Sequence, residues 1–227
     1  MTRMADTGGV RGKARRAARQ KGSFMVEFAI VGWTLFFLMA GTVQVGLNMS
    51  RAMTAAEVCR DANVLTVRGI DLSQSSNQQL IARAAAGLGL NQSGSWTPDP
   101  NGSAVVYISQ VKLVGPIECA NGVANFDGTT NTCPNLNKYV ITLRIGIGNT
   151  SRWTSQVGAP ASTPGTGGKL TDAQICTVAG NVTTAFPADL ALAADQYTYI
   201  AEVFADTSNI NFFSFLTPSA LYMRNLS

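Results

Sequence analysis

Few residues in this chain are equipped for chemistry, and the absences narrow the field first. There is no histidine among the 227 residues, which removes the commonest general base and the commonest metal ligand. The four cysteines, Cys59, Cys119, Cys133 and Cys176, include no Cys-x-x-Cys spacing, so neither a zinc knuckle nor a dithiol redox motif is written here. Their even number fits disulfides in an oxidising compartment, with three pairings open. Gly165-Thr166-Gly167-Gly168-Lys169-Leu170 has the glycines and lysine of a phosphate loop. It lacks the loop's glycine spacing, and Leu170 stands where Ser or Thr would meet magnesium. Around Asp127 the alternating oxygen ligands of a calcium loop are missing. A serine nucleophile would have to work with lysine or a carboxylate in place of histidine. The reading is of a chain with no catalytic residue, no metal ligand set and no cofactor.

Glu27 is the remaining singular residue. It is the only charge in the run Ser23–Ser50, SFMVEFAIVGWTLFFLMAGTVQVGLNMS. Phe28–Leu47 makes a helix of about 30 Å, enough to cross the hydrocarbon core of a bilayer. A cleaved secretory signal would have a shorter apolar core ending in small residues, which Leu38-Met39-Ala40 does not supply. Residues 23–50 are therefore expected to be a transmembrane helix. Ahead of it, residues 1–22 carry seven basic side chains (Arg3, Arg11, Lys13, Arg15, Arg16, Arg19 and Lys21) against Asp6 alone. The rest of the chain keeps ten basic and twelve acidic residues, so the net charge of +4 belongs to the leader. Positive residues stay on the cytoplasmic side, which places the N-terminus inside and everything after about Asn48 outside. The basic leader is thus read as a topological signal, with no nucleic-acid partner. A carboxylate in a membrane helix costs a few kcal/mol, on the order of 2–4, unless it snorkels to the edge or finds a partner.

Beyond the membrane, residues 51–70 lack proline, and Gly69 offers a stop, so the helix is expected to continue as a periplasmic stalk. Met49, Ala52, Ala56, Cys59 and Ala62 form its apolar stripe; Ser50, Thr54, Glu57 and Asp61 form the polar one. A helix from Ser23 to Arg68 would be about 69 Å long. A second helix is expected near 77–88, from Leu80, Ile81, Ala84, Ala85 and Leu88. Strands are expected at Ala104–Leu113, Tyr139–Ile147, Tyr197–Ala205 and Ala220–Leu226, each β-branched or aromatic and bounded by Gly, Pro or Asn. Residues 115–137 and 149–196 read mainly as loops, the second with the low-complexity GAPASTPGTGGK. The fold class is α+β: a long N-terminal helix packed on a small antiparallel sheet, with the head at 71–227. Cys119 and Cys133 flank a turn-rich loop whose closure would stabilise by about 3 kcal/mol in the chain-entropy model. Cys59, on the stripe facing the head, is then expected to pair with Cys176.

The string Lys21-Gly22-Ser23-Phe24-Met25-Val26-Glu27-Phe28-Ala29 sets a glycine where the basic leader meets the apolar helix, with a glutamate five residues on. It resembles the processing signal of type IV pilins. The closest resemblance is to the TadE/TadG-like minor pilins, or pseudopilins, of tight-adherence systems. It covers residues 11–68, and more loosely 197–227, where Tyr197–Phe204 and Ala220–Arg224 resemble the family's aromatic, arginine-containing ending. The resemblance implies cleavage between Gly22 and Ser23 by a prepilin peptidase, with Glu27 becoming the fifth residue and acting with Phe28 in assembly. It implies a pilin-like fold and partners among the membrane, other pilin or pseudopilin subunits, the peptidase and the pilus assembly platform. It further implies a bacterial inner-membrane, single-pass protein with a periplasmic C-terminal domain that can enter an extracellular pilus. The alternatives are an uncleaved, signal-anchored binding module outside any filament, and an anchored hydrolase.

Overall fold

The computed structural model describes residues 8–92, 94–183, 185–186, 190–208 and 220–227, with side chains from Phe24 onward. The chain divides into two compact units, Met1–Leu47 and Asn48–Ser227. Helix α1, Gly8–Val67, belongs to both. It begins well before Ser23, because the leader's Ala, Arg, Lys and Gln are strong helix formers.

From Phe24 to Leu47, in the first unit, the helix is apolar on nearly every face. Phe24, Met25, Phe28, Ile30, Trp33 and Leu38 are each more than 60% exposed, as suits a helix solvated by lipid. Its hydroxyls turn back onto their own backbone: Thr34 donates to Ile30 O at 2.9 Å and Thr42 to Met39 O at 2.8 Å. Each bond hides a polar group that hydrocarbon would not solvate.

In the second unit the last turns of α1 carry one buried stripe: Ala55, Val58, Cys59, Ala62, Asn63 and Thr66. This corrects the expected stripe, since Met49 and Ala56 are exposed. Side by side, Ala55 and Ala56 give composition no means of choosing. The true stripe runs on into two polar residues that bring their own partners. Asn63 Nδ2 donates to Asn225 Oδ1 at 2.9 Å, and Thr66 Oγ1 to Ala62 O at 2.7 Å. The helix stops as expected. Gly69 sits at φ 79°, with Ile70 N bonded to Leu65 O and Gly69 N to Thr66 O, the paired bonds of a Schellman stop. Helix α2, Ser75–Ala84, follows, then a short 3₁₀ turn at Ala86–Leu88.

Among the described residues four strands form an antiparallel sheet in the order β2-β1-β3-β4: β1 Ala104–Leu113, β2 Tyr139–Gly148, β3 Tyr197–Asp206 and β4 Ala220–Leu226. Helix α3, Pro116–Gly122, lies between β1 and β2, and helix α4, Asp172–Thr177, between β2 and β3. The helix-facing side of the sheet supplies Ala104, Val106, Ile108, Leu143, Ile145, Ile147, Ala201 and Val203, which close a core with the α1 stripe, Ile81 and Leu88. Small residues on both sides bring helix and sheet close. A register shift between Gln110 and Val111 interrupts the β1–β2 ladder. Beyond it Ile141, two residues from Leu143, joins Val111, Val157 and Ile200 on the other face. The carbonyl of Thr142, at this irregularity, accepts from Leu170 N at 2.9 Å, which docks the glycine-rich segment against β2.

The far face of the sheet is organised by a charge. Glu202 is fully buried and accepts bonds from Ser155 Oγ, from Gln156 N at 3.0 Å and from Tyr222 Oη at 2.9 Å. Arg144 Nη1 lies 3.9 Å from the same carboxylate and donates to Ser109 Oγ at 2.7 Å, with its guanidinium over the Tyr107 ring. Tyr107 Oη in turn donates to the carbonyls of Thr150 and Trp153, so residues 149–157 are fastened down over the strands. Burial, and then the neighbouring Glu202 charge, push the Tyr222 hydroxyl well above the usual phenol range. Replacing Glu202 by Ala strips the buried Arg144 of its counter-charge and should destabilise the detergent-purified protein by about 3–5 kcal/mol in a denaturant titration. Limited proteolysis should then cut first within 149–157. Wild-type stability in that variant would mean the carboxylate organises nothing.

Candidate functional site

The residues singled out by sequence fall into two groups. The first lies on α1, which passes through Gly22 and Ser23 as helix. From Ser23 to Glu27 is about 6 Å of axial rise, so Glu27 stands one turn into the apolar segment. Phe28, its neighbour, is 70% exposed. One turn further on, Trp33, Phe36 and Phe37 form an aromatic set, with Trp33 and Phe37 edge to face at 4.9 Å. A Cβ placed on Gly32, Gly41 or Gly46 would meet nothing, so none of these glycines is required by packing within this chain. They leave shallow places on an otherwise bulky helix, where another helix can come close. A carboxylate on a helix built this way can accept a proton or a cationic partner at the membrane edge.

The second group is the cysteines. Cys119 on α3 and Cys133 are bonded, with Cα atoms 5.9 Å apart across a separation of 14 residues. Between them Asp127 accepts from Thr129 N at 2.9 Å and from the hydroxyls of Thr129 and Thr132. The expected Cys59–Cys176 bond is not formed: both are buried free thiols. The two belong to separate cores. Cys59 faces β3 and β4, its sulfur 3.4 Å from the carbonyls of Ala201 and Met223, within the α1–sheet cluster. Burial pushes its thiol up to about 12. Cys176, on α4, packs with Cys119, Cys133, Val114 and Val140. Its sulfur and those of Cys119 and Cys133 all lie within 4.8 Å of one another.

Reading residues 115–137 and 149–196 as loops missed both short helices, and each had a signal. Gly115-Pro116 places proline in the first turn of α3, whose N-terminal amides are held by Asp195. That carboxylate accepts from Gly115 N at 3.0 Å, Ile117 N at 3.3 Å and Glu118 N at 3.0 Å. Thr171-Asp172-Ala173-Gln174 is a capping box, with both reciprocal bonds made at the start of α4. Gln110, Lys112, Thr142, Lys169, Tyr197 and Tyr199 meet in a polar groove of about 340 Å³. They come from three strands and a loop, a meeting that no local spacing announces. A Ser-x-x-Lys pair, expected to be absent, is present as Ser109 and Lys112, but it falls on β1, where an offset of three sends the side chains to opposite faces. Ser109 meets Arg144 on one side, and Lys112 pairs with Glu118 on the other.

Comparison with known proteins adds one positive finding. The family model described as TadE-like protein matches residues 22–62. No curated protein and no solved structure matches the chain. The matched stretch begins at the expected cleavage glycine and takes in Glu27, Phe28, the apolar helix and the turns of α1 that cover the sheet. It does not extend to the 197–227 ending that resembled the same family. Among the described residues one N-terminal helix is long and apolar enough to cross a bilayer, which together with the family match supports membrane anchoring. Over residues 22–62, all of them within α1, this chain is similar to the TadE-like family.

Proposed function

We propose that the protein is a minor pilin-like subunit or assembly factor of a tight-adherence pilus. It is held in the bacterial inner membrane with its N-terminus in the cytoplasm and its α+β head in the periplasm. The observation that carries this reading is the TadE-like match beginning at Gly22, with Glu27 in the expected place behind it. A prepilin peptidase removes residues 1–22 at the cytoplasmic face. The new amine of Ser23 and the Glu27 carboxylate of a neighbouring subunit then set the axial register between helices. The role is one of packing and protein contact, without turnover. The glycine positions on α1 and the outward-facing aromatic set supply surfaces suited to helix–helix association with pilus components.

An uncleaved, signal-anchored binding module is the competing reading, and intact mass separates the two. Protein taken from membranes of cells with an active prepilin peptidase should begin at Ser23, having shed six net positive charges with its leader. Gly22→Leu should leave the full-length chain in the membrane. Mature protein that still begins at Met1 or Thr2 in such cells sinks the processing step.

Glu27→Ala should insert, fold and be largely processed, yet fail to co-purify with pilus components or to support adhesion. Glu27→Asp, which keeps the charge and loses reach, should be intermediate. Wild-type pull-down and adhesion by Glu27→Ala would leave the carboxylate with no role beyond snorkelling at the membrane edge.

A further inference from the structure

The third sulfur beside the Cys119–Cys133 bond is not explained by anchoring, processing or assembly. Cys176 is fully buried, and its thiol sits against the backbone of α3, 3.3 Å from the carbonyl of Glu118, the residue bonded to Cys119. The two helices touch through their backbones at this point. A Cβ on Gly122 would fall 2.4 Å from Asp172 O and 2.5 Å from Cys176 Sγ, so only glycine admits the thiol there. Cys133 reaches the cluster from the other side, on the turn after Thr129–Thr132, and Asn135 ties that turn to α4 through Ile175 O and Val178 O. Three sulfurs within 4.8 Å, one bond among them and no water-exposed surface on any, make a closed thiol–disulfide system.

We propose that Cys119, Cys133 and Cys176 form an internal thiol–disulfide exchange site, in which the bond at Cys119 moves between Cys133 and Cys176. The Cys176 thiolate attacks Sγ of Cys119 and the Cys119–Cys133 bond breaks. Its electron pair leaves on Cys133, which takes up the proton that Cys176 released. One disulfide and one thiol exist before and after, so neither oxidant nor reductant is consumed. The two isomers constrain different things. Cys119–Cys133 closes a short loop on itself, whereas Cys119–Cys176 staples α3 to α4 across all of β2 and the glycine- and proline-rich segment. Burial, and then the Asp172 carboxylate, hold the Cys176 thiol above its ordinary value, so the resting form is the protonated one and exchange is slow. Uncatalysed disulfide rearrangement on a scale of minutes to hours fits that state. Burial also keeps external thiols out, which leaves the three residues to exchange among themselves. Cys59, in a different core, is a built-in reference thiol that takes no part.

The test uses the full-length protein in detergent, acid-quenched, alkylated on unfolding and digested without reduction. Wild-type protein should yield a Cys119–Cys176 peptide pair beside Cys119–Cys133, its share growing over hours of incubation. Cys133→Ser should carry Cys119–Cys176 in most molecules and leave Cys59 as its single alkylatable thiol. Cys176→Ser should retain Cys119–Cys133 alone. Three alkylated thiols in folded Cys133→Ser would overturn the proposal. If that variant does not accumulate, wild type decides by itself: Cys119–Cys133 as the sole linked pair after prolonged incubation overturns it equally.

Discussion

The inner face of the sheet is covered by the last turns of α1, and the contact is made with small residues on both sides. Ala55, Ala62, Ala104 and Ala201 are fully buried there, and Cys59 drops its sulfur between the carbonyls of two adjacent strands. Close approach of this kind depends on having no side chain to spare, since interiors packed at crystal-like density register even one added methylene. The same helix, earlier along its length at Phe24–Leu38, carries bulky apolar side chains that are largely exposed. One continuous element therefore answers to two solvents, lipid in its first unit and a protein core in its second. Its sequence changes character accordingly, from apolar on nearly every face to a single stripe.

The opposite face follows a different logic. Phe204, Tyr107 and Val105 pack under Trp153, but the segment that carries Trp153 has little regular structure to hold it. Its attachment comes from Glu202 on β3 and from the hydroxyl of Tyr107 on β1, both reaching backbone groups of that segment directly. A buried carboxylate with three donors and a guanidinium nearby is costly to desolvate, and it earns specificity by fixing which part of a long connection lies where. The head can thus carry a low-complexity stretch without losing a defined surface. Asp195 plays a similar part elsewhere in the head, where one carboxylate collects three backbone amides, those of Gly115, Ile117 and Glu118, at the start of α3.

Much of this was legible in the sequence. The ends of β1 and β4 lie where alternation and turn residues put them, and Gly69 marks the helix stop. Glu27 and Gly22 stood out because a charge in an apolar run and a glycine at a charge boundary are local signals. What stayed hidden was non-local or short. The pairing of cysteines depended on which core each entered, and Cys59 and Cys176 enter different ones because α4 docks on α3, away from α1. Helices of six and seven residues lack the length for a periodic stripe, so α3 and α4 could be found only through the proline and the capping box at their starts. The Glu202–Arg144 pair joins residues whose closeness exists only once β1 lies between their strands.

The strand order has a consequence for how the head comes into being. Strand β1 lies between β2 and β3, and β3 needs β4, whose residues are the last of the four to be synthesised. The carbonyls that receive Cys59 come from Ala201 and Met223, 142 and 164 residues further along, so the α1 stripe is made long before its cover exists. Such a topology makes folding late and slow, with most of its contacts between residues far apart in sequence. A helix already resident in a bilayer keeps the growing chain tethered through that interval. The tether keeps the late strands close to the stripe they must cover, so the search that closes the core is local even though its partners lie far apart in sequence.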